Sequence, residues 1–480
     1  MDVALAQSSF DVPRELIEKY SGQGPRYTSY PTAVEFHEGF SAATWQKTLL
    51  AWRNSTPTEP PTESRSISLY THIPFCRSLC YFCACHKIIT EDRTVVSPYL
   101  AAISRELSIY SQLLSDGNTS LAGLHWGGGS PNYLAPDEMR VLFESTLAAF
   151  PKLNPAAEIS IEMDPRTTTT EQLSTIERLG FNRISLGVQD FSPHVQEAVN
   201  RIQPFELTRD LVENARQLGL SGINLDLIYG LPGQELTSFN DTLSQVISIR
   251  PERIALYGYA HVTWIKKVQK ALERHPLPSP SLRIELFRSA VTELTRAGYV
   301  YIGMDHFALP ADSLAKALAN GTLTRNFMGY STECGAGTLG VGPSAISGLA
   351  GAYAQNEKDL QRYQAKLTSS NSANSLPITR GLSLSREDKL RAEVISQILC
   401  QGTVSFEQVG KRWEIDFAKH FAAELGGLEE LEQDRLVAIE DSQLRLTPLG
   451  RFFMRSVAMH FDGYLNAHLT SGRKVFSQTV

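Results

Sequence analysis

Short apolar segments alternate with helical patterns through the middle of the 480-residue sequence. Residues 66–73 (SISLYTHI) have period-two patterning, which predicts a strand that ends at Pro74. Five further apolar runs follow, and helical spacing separates them: AGLHW at 122–126, EISIEM at 158–163, NRISLGV at 182–188, INLDLIY at 223–229 and RIALYG at 253–258. Six βα units in a row predict an α/β fold whose parallel sheet curls into a partial or full (β/α) barrel.

Polar stretches divide the remaining sequence. A Pro-, Thr- and Ser-rich passage at 55–66 and the run TSSNSANS at 368–375 predict two linkers. Beyond about 382 the pattern is helical, with two short strand candidates near 436–446, which outlines a winged helix. The predicted domains are an N-terminal arm at 1–64, the barrel domain at 65–355 and a mainly helical, winged-helix-like domain at 356–480.

Charge and hydropathy exclude several functional classes. The formal net charge is −6, and residues 424–441 of the winged segment hold seven acidic side chains against Arg435 alone, which argues against nucleic-acid binding. No stretch approaches the roughly 20 apolar residues of a membrane span. The first 20 residues lack the apolar region of a secretory signal. We therefore expect a cytoplasmic protein without a nucleic-acid partner.

Four of the six cysteines lie within ten residues, directly after the first predicted strand, in the sequence CRSLCYFCAC at 76–85. Clustered thiols in a large intracellular chain suit a metal centre better than a disulfide framework. A Cx3Cx2C loop made by Cys76, Cys80 and Cys83 can hold three corners of a [4Fe-4S] cluster. The fourth iron is then open to the amino and carboxylate groups of S-adenosylmethionine (SAM). The alternative is a zinc site that also uses Cys85.

The residues around these cysteines resemble the signature of the oxygen-independent coproporphyrinogen III oxidase family, within the radical SAM superfamily. Similar segments occur in the family's order along nearly the whole chain: GPRYTSYPTA at 24–33, YTHIPFC at 70–76, HWGGGSP at 125–131, IEMDPR at 161–166, GVQDF at 187–191, DLIYGLP at 226–232, GMDHFA at 303–308, RNFMGY at 325–330, SAIS at 344–347 and GRFFMRSVAMHFDGYL at 450–465. The resemblance implies a partial (β/α)6 radical SAM barrel. It also implies an enzyme that converts two propionates of coproporphyrinogen III to vinyl groups without oxygen, giving protoporphyrinogen IX. Two SAM molecules per site, an electron donor to the cluster and a monomeric chain are further implications.

The resemblance assigns cofactor contacts at the carboxyl ends of the predicted strands, where such folds keep their active sites. The first SAM would contact Tyr70, Gly128, Glu162 and Ile346. The second would contact Phe82, Gly129, Ser130, Gln189, Arg201, Asp226 and Ala260. Taken singly, most of these residues could equally be structural. No catalytic side chain is predicted, because the radical is generated on SAM.

The four carboxylates of coproporphyrinogen require cationic partners, and arginine suits paired recognition of carboxylates. Arg26, Arg166 and Arg325 are the candidates, and each could instead form a surface salt bridge. Arg26 ranks first, because an N-terminal arm could close over the substrate. Met328 departs from the glutamine of the family pattern near the second SAM, and a thioether lacks the donor and acceptor of an amide.

Two alternative functions on the same scaffold stay open from the sequence. One is a radical SAM haem chaperone, although Cys85, the N-terminal arm and the C-terminal domain favour the enzyme. The other is a radical SAM methyltransferase or cyclopropanase, to which Met328 gives some weight.

Overall fold

The structure is a computed structural model, and it describes residues 12–55, 65–114, 119–332, 335–368, 375–470 and 476. Most of each predicted linker, at 56–64 and 369–374, lies outside the described residues. Within the described ranges, the structure contains no helix with the length and apolar character needed to cross a membrane.

The strands are β1 Ser66–Ile73, β2 Phe75–Cys76, β3 Ile88–Ile89, β4 Ser120–Gly128, β5 Leu153–Met163, β6 Arg183–Gln189, β7 Gly222–Tyr229, β8 Arg253–Gly258, β9 Val300–Gly303, β10 His306–Ala308, β11 Thr324–Asn326, β12 Gly329–Ser331, β13 Thr338–Val341, β14 Ile346–Leu349, β15 Ala352–Asn356, β16 Ile378–Ser383, β17 Thr403–Ser405, β18 Val437–Glu440 and β19 Gln443–Leu446. The helices are α1 Arg14–Tyr20, α2 Ala42–Asn54, α3 Val96–Leu114, α4 Pro136–Ala149, α5 Thr170–Arg178, α6 Pro193–Ala198, α7 Phe205–Gln217, α8 Leu236–Ile249, α9 Pro280–Arg296, α10 Ser313–Asn320, α11 Leu360–Thr368, α12 Arg386–Cys400, α13 Phe406–Trp413, α14 Phe417–His420, α15 Ala422–Gly426, α16 Glu429–Gln433, α17 Met454–His460 and α18 Leu465–Thr470.

Six parallel strands form the centre of the protein. β1, β4, β5, β6, β7 and β8 pair side by side in that order, and helices connect each strand to the next. The sheet continues on both sides into a 12-stranded order, with β10 and β9 beyond β8 and β13 to β16 beyond β1. The predicted α/β class and the six-stranded partial barrel are confirmed.

Period-two patterning decides which side chains reach the inside of the barrel. In β6, Ile184, Leu186 and Val188 are buried in the apolar core. Ser185 and Gln189, which alternate with them, line a cavity instead. Successive side chains of a strand point to opposite faces, so one set packs on the helices and the other faces the barrel interior. Parallel strands place their carboxyl ends at one rim, where the site is built.

The C-terminal region contains a small sheet in the order β17, β19, β18 among short helices, as the winged-helix outline predicts. The main sheet extends through β16, past residue 355, where the predicted barrel domain ends. The predicted domain limits at 64 and 355 stay predictions. One continuous apolar core includes buried residues of both the barrel and the C-terminal region.

The N-terminal segment is anchored between these two regions. Arg455 donates hydrogen bonds to the Gly24 and Pro25 carbonyl oxygens at 2.6 and 3.1 Å. Tyr27 Oη donates to Asp462 Oδ2 at 2.9 Å. Buried hydrogen bonds to main-chain groups fix backbone position as well as side chains. This part of the arm is therefore held in a fixed position against the C-terminal region.

Candidate active site

The cysteine loop leaves β1 at the carboxyl-end rim of the sheet. The short strands β2 and β3 pair with each other and close the loop. Asn200 Nδ2 donates to the Leu79 carbonyl oxygen at 2.7 Å, and Gln269 Nε2 donates to the Phe82 carbonyl oxygen at 2.9 Å. The polypeptide itself therefore fixes the shape of the loop.

Two arginine side chains contact the sulfur of Cys80. Its buried sulfur accepts hydrogen bonds from Arg166 Nη2 at 3.6 Å and from Arg201 Nη1 at 3.5 Å. Both arginines also pair with Asp164, at 2.6 Å for Arg166 and 3.3 Å for Arg201. Two guanidinium groups held by one carboxylate therefore face the Cys80 sulfur.

Cys83 and Cys85 interact with each other. The hydrogen bond with Cys85 lowers the pKa of Cys83 to about 6; burial opposes this shift and Lys87 adds to it. The same hydrogen bond, followed by charge repulsion, raises the pKa of Cys85. The two thiols are therefore close enough to share a hydrogen bond, and a position of Cys85 outside the ligand set stays a prediction.

Gly128 and Gly129 bring the end of β4 against the cysteine loop. A Cβ at Gly129 would lie 2.6 Å from the Pro74 carbonyl oxygen. Gly128 has φ +118°, and a Cβ there would lie 2.7 Å from the His72 ring. The Gly129 N–H already donates to the Ile73 carbonyl oxygen at 2.8 Å. Glycine is therefore required at Gly129 by the close approach of another backbone segment and at Gly128 by positive φ and the His72 ring.

Glu162, near the end of β5, stands at the centre of the rim. Its carboxylate accepts hydrogen bonds from the Gly128 N–H at 3.1 Å and from His125 Nε2 at 3.3 Å. Burial opposes ionisation of Glu162, but these donors outweigh it and lower the pKa. Ser160 Oγ at 2.7 Å and stacking on Tyr70 hold His125 in place. An ionised carboxylate in a fixed position suits a cationic group such as an ammonium.

Asp226 on β7 faces the barrel interior. Asn224 Nδ2 and Ser185 Oγ donate to its carboxylate at 2.8 and 3.1 Å. Burial, and then repulsion from Glu162, raises the pKa of Asp226 to about 7. Asp226, Glu162 and Ser185 line both a cavity of about 170 Å³ beside the cysteines and a cavity of about 120 Å³ deeper in the barrel. The two cavities therefore adjoin.

The cavity of about 170 Å³ collects the four loop cysteines and most of the predicted cofactor residues. The predicted residues that line it are Phe82, Gly128, Gly129, Ser130, Glu162, Gln189, Arg201 and Asp226. Tyr70 lies behind His125, the Ala260 carbonyl oxygen accepts from Gln269 Nε2 at 3.1 Å, and Ile346 lies in β14. The assignment of individual residues to each SAM stays a prediction.

The three arginines proposed for substrate lie in three different settings. Arg166 lines the cysteine cavity, where Asp164 pairs with it. Arg26 Nη1 pairs with Asp305 Oδ2 at 3.0 Å. Arg325 lines a separate cavity of about 290 Å³. Arg26 and Arg325 are nevertheless neighbours, because Arg325 Nη2 donates to the Arg26 carbonyl oxygen at 3.2 Å, whereas Arg166 lies apart from both.

Sequence reasoning missed three polar residues of this rim. His125 orients Glu162, and Ser185 holds Asp226. Strand alternation could have found both, since their strand neighbours are buried apolar residues. Asp164 caps a short helical turn, and it also joins the two arginines beside the cysteines. That pairing depends on tertiary contacts and has no local signal.

These residues fit an iron–sulfur cluster and SAM. The three predicted ligand thiols share one cavity, and arginine supports one of them. Across the described ranges, no three Cys, His, Asp or Glu side chains come close enough together to hold a single metal ion. Thiols spread around a cavity suit a cubane, which binds each cysteine through a different iron, better than one tetrahedral zinc ion. Glu162 on the same cavity offers a partner for the SAM ammonium group.

Known proteins match the same regions of the chain. The Radical SAM superfamily matches residues 70–246, and the HemN C-terminal domain matches residues 384–453. The oxygen-independent coproporphyrinogen III oxidase of Pseudomonas aeruginosa is 43% identical over 467 residues, which cover 97% of this chain and 98% of the relative. The chain belongs to the oxygen-independent coproporphyrinogen III oxidase family. The family resemblance read from the sequence is thereby confirmed.

Other family members are similar over the same span. The oxidases of Synechocystis and Escherichia coli K12 are each 40% identical, over 97% and 94% of this chain and 97% and 95% of the relatives. The solved structure of coproporphyrinogen III oxidase (HemN) from Escherichia coli, described as a radical SAM enzyme, superposes with a TM-score of 0.87 at 38% identity. The superposition covers 95% of this chain and 100% of the solved chain, so the family fold includes both regions that flank the barrel.

Proposed function

We propose that this chain is a radical SAM oxidoreductase that converts coproporphyrinogen III to protoporphyrinogen IX by oxidative decarboxylation of two propionates, without oxygen. The full-length similarity to family oxidases carries this proposal, together with three thiols and Glu162 around one cavity. Bound there, a [4Fe-4S] cluster and SAM supply a radical that removes hydrogen from a substrate propionate. The polypeptide contributes placement, orientation and electrostatics.

Cys76, Cys80 and Cys83 would hold the cluster. Arg166 and Arg201 would act on it through Cys80, because hydrogen bonds to cluster sulfurs are one of the factors that set a reduction potential. Their shared carboxylate partner keeps both guanidinium groups in place. The cluster would therefore face two guanidinium groups in fixed positions on the Cys80 side.

Glu162 would hold the SAM ammonium group, with His125 and the Gly128 N–H keeping it ionised. We assign a second SAM to the side of the cavity formed by Gln189, Arg201 and Asp226. Met328 lines the deeper cavity of about 120 Å³ that adjoins this side. A second SAM would therefore meet a thioether there in place of the amide expected from the family pattern.

The substrate is a tetrapyrrole with four carboxylates, and its reactive propionate would enter from the barrel interior. An electron donor to the cluster, a monomeric chain and a cytoplasmic location stay predictions from the sequence and the resemblance. No structural observation favours the haem chaperone, the methyltransferase or the cyclopropanase.

Anaerobic turnover tests the proposal. Reconstituted protein would be incubated with coproporphyrinogen III, SAM and a reductant, and the tetrapyrrole products and CO2 would be measured. Protoporphyrinogen IX with release of CO2 is the expected result. Tight haem binding without turnover, or a methylated or cyclised product, would point to the alternatives. The Cys80→Ala variant should lose the cluster and turnover, whereas Cys400→Ala, which removes a buried thiol outside the loop, should retain wild-type iron content.

A further inference from the structure

A cavity of about 290 Å³ lies away from the cysteines, near the beginning of β1. The N-terminal arm contributes Tyr27 and Ser29, β1 contributes Ser68, and α12 contributes Ser396. Among the described residues that line it, Arg325 carries the only formal charge. Phe327, Ile395 and Leu399 also line it, so the cavity is a chamber of mixed polar and apolar lining with one cation.

Arg325 is incompletely paired in this chamber. Its Nη2 donates to the Arg26 carbonyl oxygen at 3.2 Å, and its guanidinium lies 4.7 Å from the centroid of the Tyr330 ring. Nε and Nη1 are buried and have no hydrogen-bond partner in the described part of the protein. Arg26, in contrast, pairs with Asp305 at 3.0 Å. A buried guanidinium without an anion is costly, so this position is set up to receive one.

The neighbouring groups do not supply that anion. His306 packs against Tyr330 with ring centroids 5.5 Å apart. Burial, followed by repulsion from Arg325, lowers the pKa of His306 to about 3, so the imidazole is neutral at physiological pH. Asp305 is engaged by Arg26. Among the described residues, no carboxylate forms a salt bridge with Arg325.

The chamber borders the barrel interior at the stacked side chains of Arg325 and Tyr330. Tyr330, on which Arg325 stacks, lines the inner cavity of about 120 Å³. That cavity shares Glu162 and Asp226 with the cysteine cavity. Along β1, the distance from Ser68 to Ile73 is about 17 Å at the usual rise per strand residue. A ligand that contacts both the cysteine end and the Arg325 end would therefore have to span about 17 Å.

We infer that Arg325 binds a carboxylate of the tetrapyrrole substrate, and that this carboxylate belongs to a propionate that the reaction leaves intact. The inference rests on the proposed function for the identity of the substrate. The reacting propionate must lie at the cluster end of the barrel. A carboxylate near the start of β1 is then on the far side of the macrocycle, where the propionates survive. Arginine's planar donor pair matches a carboxylate there.

Porphyrin binding tests this inference without turnover. The probes are coproporphyrin III, with four carboxylates, and protoporphyrin IX, which keeps two, each titrated by fluorescence into anaerobic full-length holoenzyme. The variants are Arg325→Gln, Arg325→Lys and a control, Arg209→Gln, at an exposed arginine on α7. Arg325→Gln should weaken binding of both porphyrins roughly 30-fold or more, as truncating one partner of a buried charge pair does. Arg325→Lys should recover part of this loss, and Arg209→Gln should match wild type.

Several results would overturn the inference. If Arg325→Gln binds both porphyrins with wild-type affinity, Arg325 does not bind a substrate carboxylate. Loss confined to coproporphyrin III would mean that Arg325 binds a propionate that reacts. SAM binding by Arg325→Gln reports its folding. Should that variant misfold, the tetramethyl ester of coproporphyrin III provides the test on wild-type protein: weak binding supports the inference, and full affinity contradicts it.

The two proposals fail separately. If wild-type protein shows no turnover but its porphyrin binding depends on Arg325, only the proposed function is contradicted. Wild-type turnover with binding that does not depend on Arg325 would remove this inference alone.

Discussion

Replacing Gly129 with alanine should disrupt the cysteine loop while leaving the barrel folded. The new Cβ would lie 2.6 Å from the Pro74 carbonyl oxygen, 2.7 Å from the Pro74 carbonyl carbon and 2.8 Å from the Phe75 carbonyl oxygen. These are main-chain atoms, so no side-chain rotation relieves the contact. Reaching an ordinary separation of 3.4 Å requires the loop to move by about 0.8 Å.

Overpacking of this kind costs about 1–3 kcal/mol, which is less than the usual stability of a folded domain. The displacement falls on the segment that leads into Cys76. A misplacement of about 1 Å at a reacting centre can lower a rate about 100-fold. We therefore expect Gly129→Ala to fold, with a melting temperature lower by a few degrees, but to bind much less iron and to lose most activity.

The assay compares iron and sulfide content, melting temperature and turnover after anaerobic reconstitution. Gly426→Ala is the matched control, because a Cβ at Gly426 would meet nothing within 4 Å. That control should behave as wild type. Wild-type iron content and turnover in Gly129→Ala would refute the claim that close backbone packing shapes the cluster loop.

Three further predictions concern charge. Glu162→Gln should weaken SAM binding roughly tenfold or more in equilibrium titration, because a hydrogen bond to a charged group is worth about 1.5–3 kcal/mol; unchanged affinity would contradict the role of Glu162. Arg253→Ala should lower the free energy of unfolding by about 3–5 kcal/mol in urea, because it leaves the carboxylates of Asp312 and Glu158, both paired with Arg253 here, to share Arg183. Arg209→Ala, at the surface, should leave the urea midpoint unchanged. The pKa of His306 is about 3 in the fold, below its ordinary 6.5, so the unfolded chain takes up the proton first as pH falls. Wild type should therefore lose up to about 2 kcal/mol relative to His306→Asn between pH 6.5 and 5, with no further difference above pH 7. A constant difference across that range would count against a neutral buried imidazole.

Local sequence patterns were sufficient to predict the barrel and the cysteine loop. The alternation of Ile184, Leu186 and Val188 with polar neighbours specifies a strand and both of its faces. The spacing of Cys76, Cys80 and Cys83 indicates three metal ligands because close sequence spacing limits their separation in space. The family resemblance supplied the substrate, which no spacing could indicate.

Long-range pairing could not be predicted from the sequence. In the sequence, Arg26 ranked above Arg166 and Arg325 because an N-terminal arm could close over the substrate, and the partners of all three were unknown. Folding gives Arg166 the carboxylate of Asp164 and gives Arg26 that of Asp305, which is 279 residues away, whereas two nitrogens of Arg325 have no hydrogen-bond partner among the described residues. The arm that was expected to close over substrate is instead bonded to the C-terminal region through Arg455 and Asp462. Partner choice depends on which distant elements pack together, and this determines which arginine remains available for substrate.

The claim that three thiolates leave one iron free for SAM can be measured directly in the Cys85→Ala and Cys83→Ala variants. Each would be reconstituted anaerobically beside wild type, and iron, sulfide and 5′-deoxyadenosine formed from SAM with reductant would be determined. Wild type and Cys85→Ala should hold a [4Fe-4S] cluster and release 5′-deoxyadenosine, and Cys83→Ala should do neither. Zinc or no metal in wild type without 5′-deoxyadenosine, or complete loss of the cluster in Cys85→Ala, would contradict the account.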